Sequence, residues 1–234
     1  MHKISVCMAT CNGGKYLKKQ IESIIRQLGS GDELIISDDS SSDDTGEIVS
    51  SFQDRRILFL GGNTYRSPIL NFENSLKHAT GDYIFLADQD DIWHESKVST
   101  LLPLLTKFDL VVSDCVIVDE NENVISPSFF HWRNSGPGLL KNILRNSYLG
   151  CCMAFRNSLL LRALPFPVRI PMHDIWLGAL ADLTGRVCFC NEKLVYYRRH
   201  NSNVSPTGDK YYYGPISKIR FRYNLVSALI RRCV

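Results

Sequence analysis

Residues 3–87 repeat one pattern. A short unbroken apolar run stops at a polar cluster, and a segment with apolar residues at helical spacing follows. The run KISVCMA (3–9) ends in Thr10-Cys11-Asn12-Gly13-Gly14, after which Leu17, Ile21, Ile24, Ile25 and Leu28 mark one helix face. ELIIS (33–37) ends in Asp38-Asp39 and a serine-rich turn. RILFL (56–60) precedes a helix over 70–79. YIFLA (83–87) ends in Asp88-Gln89-Asp90-Asp91 and precedes a helix at about 95–106. Continuous apolar strands alternating with helices predict an α/β fold, with a mostly parallel central sheet covered by helices on both faces. Ligands of such sheets bind outside the carboxyl ends of the strands. Three polar turns stand there: Thr10–Gly14, Asp38–Asp43 and Asp88–Asp91.

The second half is less regular. LVVSD (110–114), VIVDE (116–120) and GCCMAFR (150–156) predict strands, a short helix starts at Asn157, and 173–185 predicts a helix with an acidic start. RVCFCN and KLVYYRRH predict two closing strands, and 202–208 predicts a linker. Of the chain's net charge of +3, residues 206–234 hold +5, because six cations there face Asp209 alone. The body is therefore near neutral, which argues against nucleic-acid binding. No run of about 18 uncharged apolar residues occurs, so no spanning helix is expected. The N-terminus runs straight into a strand and leaves no room for a leader, which predicts a cytoplasmic protein. Eight cysteines without a CxxC pair predict free thiols rather than a zinc site.

Three acids in four residues at the end of an apolar strand repel one another, and a divalent cation relieves that repulsion. Mg²⁺ or Mn²⁺ suits a few carboxylates plus substrate phosphate oxygens. Asp88 and Asp90 are the candidate ligands, with Asp91 as a helix cap. A solvated acidic turn is the alternative. Asp39 can accept from a ribose or base, or cap the next helix. The first turn lacks the glycine spacing of dinucleotide and triphosphate loops. Asp174 is either an N-cap or a general base presented at a helix start. His200 is either a metal or phosphate ligand, or an exposed loop histidine.

Together these segments resemble family 2 of the glycosyltransferases, with the GT-A fold, over about residues 1–205. VCMATCNGGKYLKKQIESIIRQ is similar to that family's opening pattern, ELIISDDSSSDDT to its VDDGSTDGT turn, and ATGDYIFLADQDDIW to its DxD segment. LGCCMAF, MHDIWL and YYRRHNSNVS resemble its later motifs, in the wording of the rhamnosyltransferase-like branch. The resemblance implies a Rossmann-like sheet with a donor half (1–110), an acceptor half (111–205) and a tail (206–234). It implies donor binding by Thr10, Asn12, Asp39, Asn71 and Asp88, and a metal (Mn²⁺ or Mg²⁺) on Asp90, Asp88 and His200. It also implies Asp174 as catalytic base. The expected activity is inverting transfer from a nucleotide-diphosphate sugar to a glycan or lipid-linked glycan, in cell-surface polysaccharide synthesis. Cys11 stands where the family usually has an aromatic, so Tyr65 becomes the candidate to stack on the base. The segment 127–138 is expected to be a mobile loop that excludes water.

Two other functions compete. A non-catalytic sugar-nucleotide-binding or scaffold protein fits the same fold. A phosphatase with an aspartyl nucleophile would carry DxD after its first strand, not its fourth. In the tail, Ile216, Ile219, Tyr223, Val226 and Ile230 form one stripe flanked by Lys218, Arg220, Arg222, Arg231 and Arg232. Such a helix over 216–232 either lies on an anionic membrane surface or packs on the body.

Overall fold

The computed structural model describes residues 2–200 and 214–233, apart from the side chain of Pro215. The expected linker at 202–208 lies outside them. The first half alternates β1 (Ile4–Thr10), α1 (Gly14–Ile25), β2 (Glu33–Asp38), α2 (Thr45–Ser51), β3 (Ile57–Leu60), α3 (Pro68–Lys77) and β4 (Tyr83–Asp88). These strands are parallel and ordered β3-β2-β1-β4. The chain moves outward from β1 through β2 to β3, then returns to place β4 on the other side of β1. The strand order thus reverses between β1 and β4, where a crevice opens at the carboxyl ends. Thr10 pairs with Asp38 across it on one side, and Ala9 with Asp88 on the other.

The second half adds β5 (Ile92–Trp93), α4 (Lys97–Leu105), β6 (Leu110–Val118), β7 (Val124–Ser126), α5 (Phe129–Arg133) and α6 (Leu139–Leu144). It continues with a 3-10 turn (Gly150–Cys152), β8 (Met153–Arg156), α7 (Asn157–Ala163), α8 (His173–Thr184), β9 (Val187–Arg198) and α9 (Pro215–Cys233). The sheet continues as β4-β8-β6-β9-β5, with β7 on β6. It is mixed: β8 runs antiparallel to β4 and β6, β5 antiparallel to β9, and β6 parallel to β9.

Four expectations change. Residues 110–118 form one strand rather than two, and 187–198 form one strand rather than two. The apolar pattern breaks inside both because their pairing shifts register around Asp114. Asp114 is buried there and accepts from the Ser128 hydroxyl (2.6 Å) and the Phe130 N–H (2.9 Å). That contact anchors α5, so the expected loop 127–138 carries a short helix capped by Ser128, with Phe129 in the core. Finally, 150–152 form a turn before β8.

The core holds both faces of β1, β2 and β4, together with Leu17, Ile21 and Ile24 of α1. The cysteines are free; Cys7, Cys115, Cys151 and Cys152 are buried, while Cys11 and Cys233 are exposed. In α8 the fully buried Trp176 donates its indole N–H to the Ala163 carbonyl (3.1 Å). Gly178 lets the ring of Tyr148 approach so closely that an added Cβ would sit 2.4 Å from it.

α9 packs by Leu225 and Leu229, and the Arg222 guanidinium donates to the Ile143 and Leu144 carbonyls. The face that packs is not the predicted stripe. Ile216, Ile219, Tyr223 and Ile230 are all more than half exposed.

His173 is buried at the start of α8, its ring stacked on Phe72 at 3.9 Å, and neither ring nitrogen has a hydrogen-bond partner among the described residues. Burial pushes its pKa down to about 3 from 6.5. The folded chain therefore keeps this ring neutral while the unfolded chain protonates it below about pH 6.5. Stability is unaffected above that pH and is lost progressively as pH falls toward 3. The loss by pH 5 is about 2 kcal/mol. His173→Phe is expected to remove this acid sensitivity. Urea unfolding at pH 7.5 and pH 5 checks it: equal pH dependence in both proteins would be the contrary result.

Candidate active site

The first two turns lock onto each other. The Thr10 hydroxyl donates to Asp38 Oδ1 (2.9 Å), and Asp38 Oδ2 accepts from the Ser41 N–H (3.0 Å). Asn12 adopts a left-handed conformation (φ 49°), which asparagine tolerates. Its side-chain Oδ1 accepts from the Ser42 N–H (2.8 Å), and its backbone N–H donates to the Ser41 hydroxyl (2.8 Å). The two Asp39 oxygens accept from the N–H groups of Arg66 and Ser67, each at 3.0 Å, and so tie the loop before α3 to the end of β2. Asn71 of α3 donates to the Thr10 carbonyl (2.9 Å), and its Oδ1 is buried with no partner among the described residues. Thr10, Asn12, Asp39 and Asn71 are thus brought together around the end of β1, while Cys11 stays exposed.

The acidic turn is clipped to this group by Gln89. Its Oε1 accepts from the Cys11 N–H (2.9 Å) and its Nε2 donates to the Cys11 carbonyl (3.2 Å). Gly13 is required beneath it, since a Cβ there would lie 2.5 Å from Gln89 Oε1. The end of β9 closes the other side. The Arg198 N–H donates to Asp91 Oδ1 (2.9 Å), its Nε–H to the Asp90 carbonyl (2.8 Å), and His200 Nε2 lies 2.7 Å from Asp90 Oδ2.

Asp91 does not cap the next helix: it is fully buried, and Ser96 holds the N-cap position of α4. One donor atom each from Asp88, Asp91 and Cys151 lie within 4.8 Å of one another. Asp91 Oδ2 has no hydrogen-bond partner among the described residues. Beneath them Lys97 is fully buried, its Nζ donating to the Cys151 carbonyl (2.6 Å) and standing 3.8 Å from the Trp93 ring.

Electrostatics follow from this crowding. Burial, then the charges of Asp90 and Asp174, push Asp88 up to about 8. Burial and the charges of Asp90 and Asp88 also raise Asp91. Burial lowers Lys97 to about 8 against the pull of the nearby carboxylates. Burial and mutual repulsion thus work against the charged forms of Asp88 and Asp91, and a cation beside them would favour those forms. The donors suit one: oxygen from Asp88, Asp90 and Asp91, imidazole from His200, and a thiol from Cys151.

Asp174 stands in the first turn of α8, half-buried. It accepts from the Ile175 N–H (2.6 Å) and is also stabilised by the Gly150 N–H. Burial outweighs these bonds and raises its pKa to about 6. Gly150 admits this packing, since a Cβ there would stand 3.0 Å from His173 Nε2. The Asp174 charge acts on Asp88, so the two carboxylates lie near each other. Gln89, Lys97, Cys151 and Arg198 were given no role in the sequence, and Asp91 was given that of a helix cap.

A glycosyl transferase family 2 model matches residues 5–163. WfgD of Escherichia coli, a UDP-Glc:alpha-D-GlcNAc-diphosphoundecaprenol beta-1,3-glucosyltransferase, is 27% identical over 209 residues, which cover 86% of this chain and 79% of that protein. The glycosyltransferase GlyG of Streptococcus pneumoniae is 32% identical over 230 residues, 87% of this chain and 73% of that one. The dTDP-rhamnosyl transferase RfbG of Shigella flexneri is 26% identical over 224 residues, 84% of this chain and 72% of that one.

Among solved structures, S. aureus TarS in complex with UDP-GlcNAc aligns with TM-score 0.75 at 19% identity, over 98% of this chain and 66% of that one. Mycobacterium tuberculosis glucosyl-3-phosphoglycerate synthase, with Mn²⁺, UDP and phosphoglyceric acid, aligns with TM-score 0.60 at 22% identity, over 99% of this chain and 78% of that one. At these identities the likeness concerns the fold, which is the expected GT-A arrangement. With the family model spanning more than half of its length, this chain belongs to glycosyl transferase family 2.

Proposed function

We propose that the chain transfers a sugar from a nucleoside-diphosphate donor to a hydroxyl of a glycan or lipid-linked glycan, with inversion at the anomeric carbon. The observation that carries this is the meeting, at one end of the sheet, of the acidic turn, His200 and the half-buried Asp174 carboxylate, which lies near Asp88. Relatives that act on diphosphoundecaprenol-linked sugars support a lipid-linked acceptor and synthesis of cell-surface polysaccharide. Rhamnosyl and hexosyl donors are both represented among them.

In this proposal residues 1–110 hold the donor. Thr10, Asn12, Asp39 and Asn71 line the nucleoside side, and Asp88 faces the ribose or the cation. Residues 111–205 present the acceptor to Asp174. Asp90, Asp88 and His200 would hold Mn²⁺ or Mg²⁺; when bound, the ion neutralises the leaving diphosphate. The Mn²⁺ in a neighbouring structure supports this choice.

Asp174 takes the proton of the attacking hydroxyl. Its carboxylate is raised toward neutrality by burial, which makes it a stronger base than a solvated aspartate. The backbone N–H groups of Ile175 and Gly150 hold it in place, so one carboxylate suffices. No helix among the described residues is long and apolar enough to cross a membrane. A lipid-linked acceptor would bring the chain to the cytoplasmic face of the membrane.

Asp174→Asn is expected to lower transfer by about 10²–10⁴-fold. Donor binding should be unchanged by calorimetry, and near-normal turnover would remove Asp174 from the mechanism. Because the base must be ionised, kcat/KM should fall tenfold per pH unit below about 6 and level off above it. A flat profile through pH 5–7 contradicts the assignment. Asp90→Ala should abolish Mn²⁺-dependent donor binding; an unchanged titration with Mn²⁺ present sinks the metal role.

A further inference from the structure

Two surfaces of α9 are left open by the fold, and they meet. The first is the apolar stripe. Ile216, Ile219, Tyr223, Val226 and Ile230 follow one another at spacings of three and four, and all five are exposed. The helix is held by its opposite side through Leu225 and Leu229, so the stripe faces outward by construction.

The second surface is a groove of about 600 Å³ between α9 and residues 167–169. Arg169, Arg231 and Arg232 line it, with Tyr223, Asn224 and Ser227. Arg232 turns inward and donates to the carbonyls of Arg162 (3.0 Å) and Leu164 (2.8 Å), which fixes the loop against the helix. Arg169 and Arg231 are exposed and make no hydrogen bond or ion pair among the described residues. No acidic residue lines the groove, and α9 contains neither Asp nor Glu. Tyr223 belongs to both surfaces.

We propose that stripe and groove form one membrane-interface site. Arg169 and Arg231 take the phosphates of anionic lipid headgroups, and the stripe lies among the acyl chains. Tyr223 straddles the boundary, as an amphipathic ring does at a bilayer surface. Charge chooses this occupant over the others. A second copy meeting stripe to stripe would set Lys218, Arg220 and Arg231 against their own equivalents, and like charges across an interface are strongly unfavourable. An anionic bilayer supplies apolar depth and negative charge at once.

This inference goes beyond glycosyl transfer and is tested apart from it, by vesicle flotation of the full chain. Vesicles are phosphatidylcholine alone or with phosphatidylglycerol. The wild type should float with the anionic vesicles at low salt, and less as salt rises. Arg169→Gln with Arg231→Gln should weaken that binding by roughly twenty- to thirty-fold, at about five-fold per arginine. Ile219→Ser with Ile230→Ser should abolish flotation at any charge. Both variants should keep wild-type transfer to a water-soluble acceptor, an assay that judges the proposed activity separately.

Failure of the wild type to float, or flotation indifferent to both variants, overturns the site. So does binding of inorganic phosphate or pyrophosphate without vesicle binding, which marks a free-anion groove instead. A dimer broken by Ile219→Ser with Ile230→Ser, in a chain that does not float, assigns the stripe to a second copy and also overturns it.

Discussion

Three carboxylates stand at the carboxyl end of β4, two of them, Asp90 and Asp91, buried. Much of the surrounding architecture compensates for them. Gln89 ties the turn to the β1 loop, Arg198 supplies two donors from the end of β9, His200 contacts Asp90, and a fully buried lysine lies beneath. Each of these groups would be costly to bury alone. Together they form a site whose negative charge is nearly, but not completely, offset. That remaining imbalance is what the proposed cation would relieve.

The same logic shapes Asp174. It reaches the site from a different element, a helix start whose N–H groups stabilise its charge while the surrounding protein resists it. Burial wins over the hydrogen bonds, and the pKa rises to about 6. A deeper position would leave it protonated, and a solvated one would make it a weak base. The neighbouring His173 shows how far burial goes where no hydrogen-bond partner offsets it among the described residues.

Much of this was legible in the amino-acid order. The strands β1, β2 and β4 are unbroken apolar runs, and their polar ends fall where a doubly wound sheet puts its ligands. Asp88, Asp90 and Asp174 stood out because acids at element ends demand a reason. The second half was harder. Val111 and Val116 belong to one strand, but the register shift around Asp114 interrupts the pattern that periodicity depends on. Gln89, Lys97 and Cys151 act through contacts that span from 54 to 78 residues, and nothing local marks them. Asp91 was visible but misassigned, since an acid near a helix start looks like a cap until β9 is seen to cover it. The tail's apolar stripe was correctly picked out; which side of α9 meets the body was not, because Leu225 and Leu229 form a second, narrower apolar face.

The long β9 strand has a consequence for how such a chain is made. Its first residues pair with the start of β6, and its last deliver Arg198 to a turn 107 residues earlier. Gln89 and Lys97, which hold the acidic turn from other sides, belong to the first half. A nascent chain therefore completes its acidic turn long before the strand that closes it is made. A product broken off before residue 198 keeps the acids, Gln89 and Lys97 but lacks the two donors that Arg198 brings to Asp90 and Asp91.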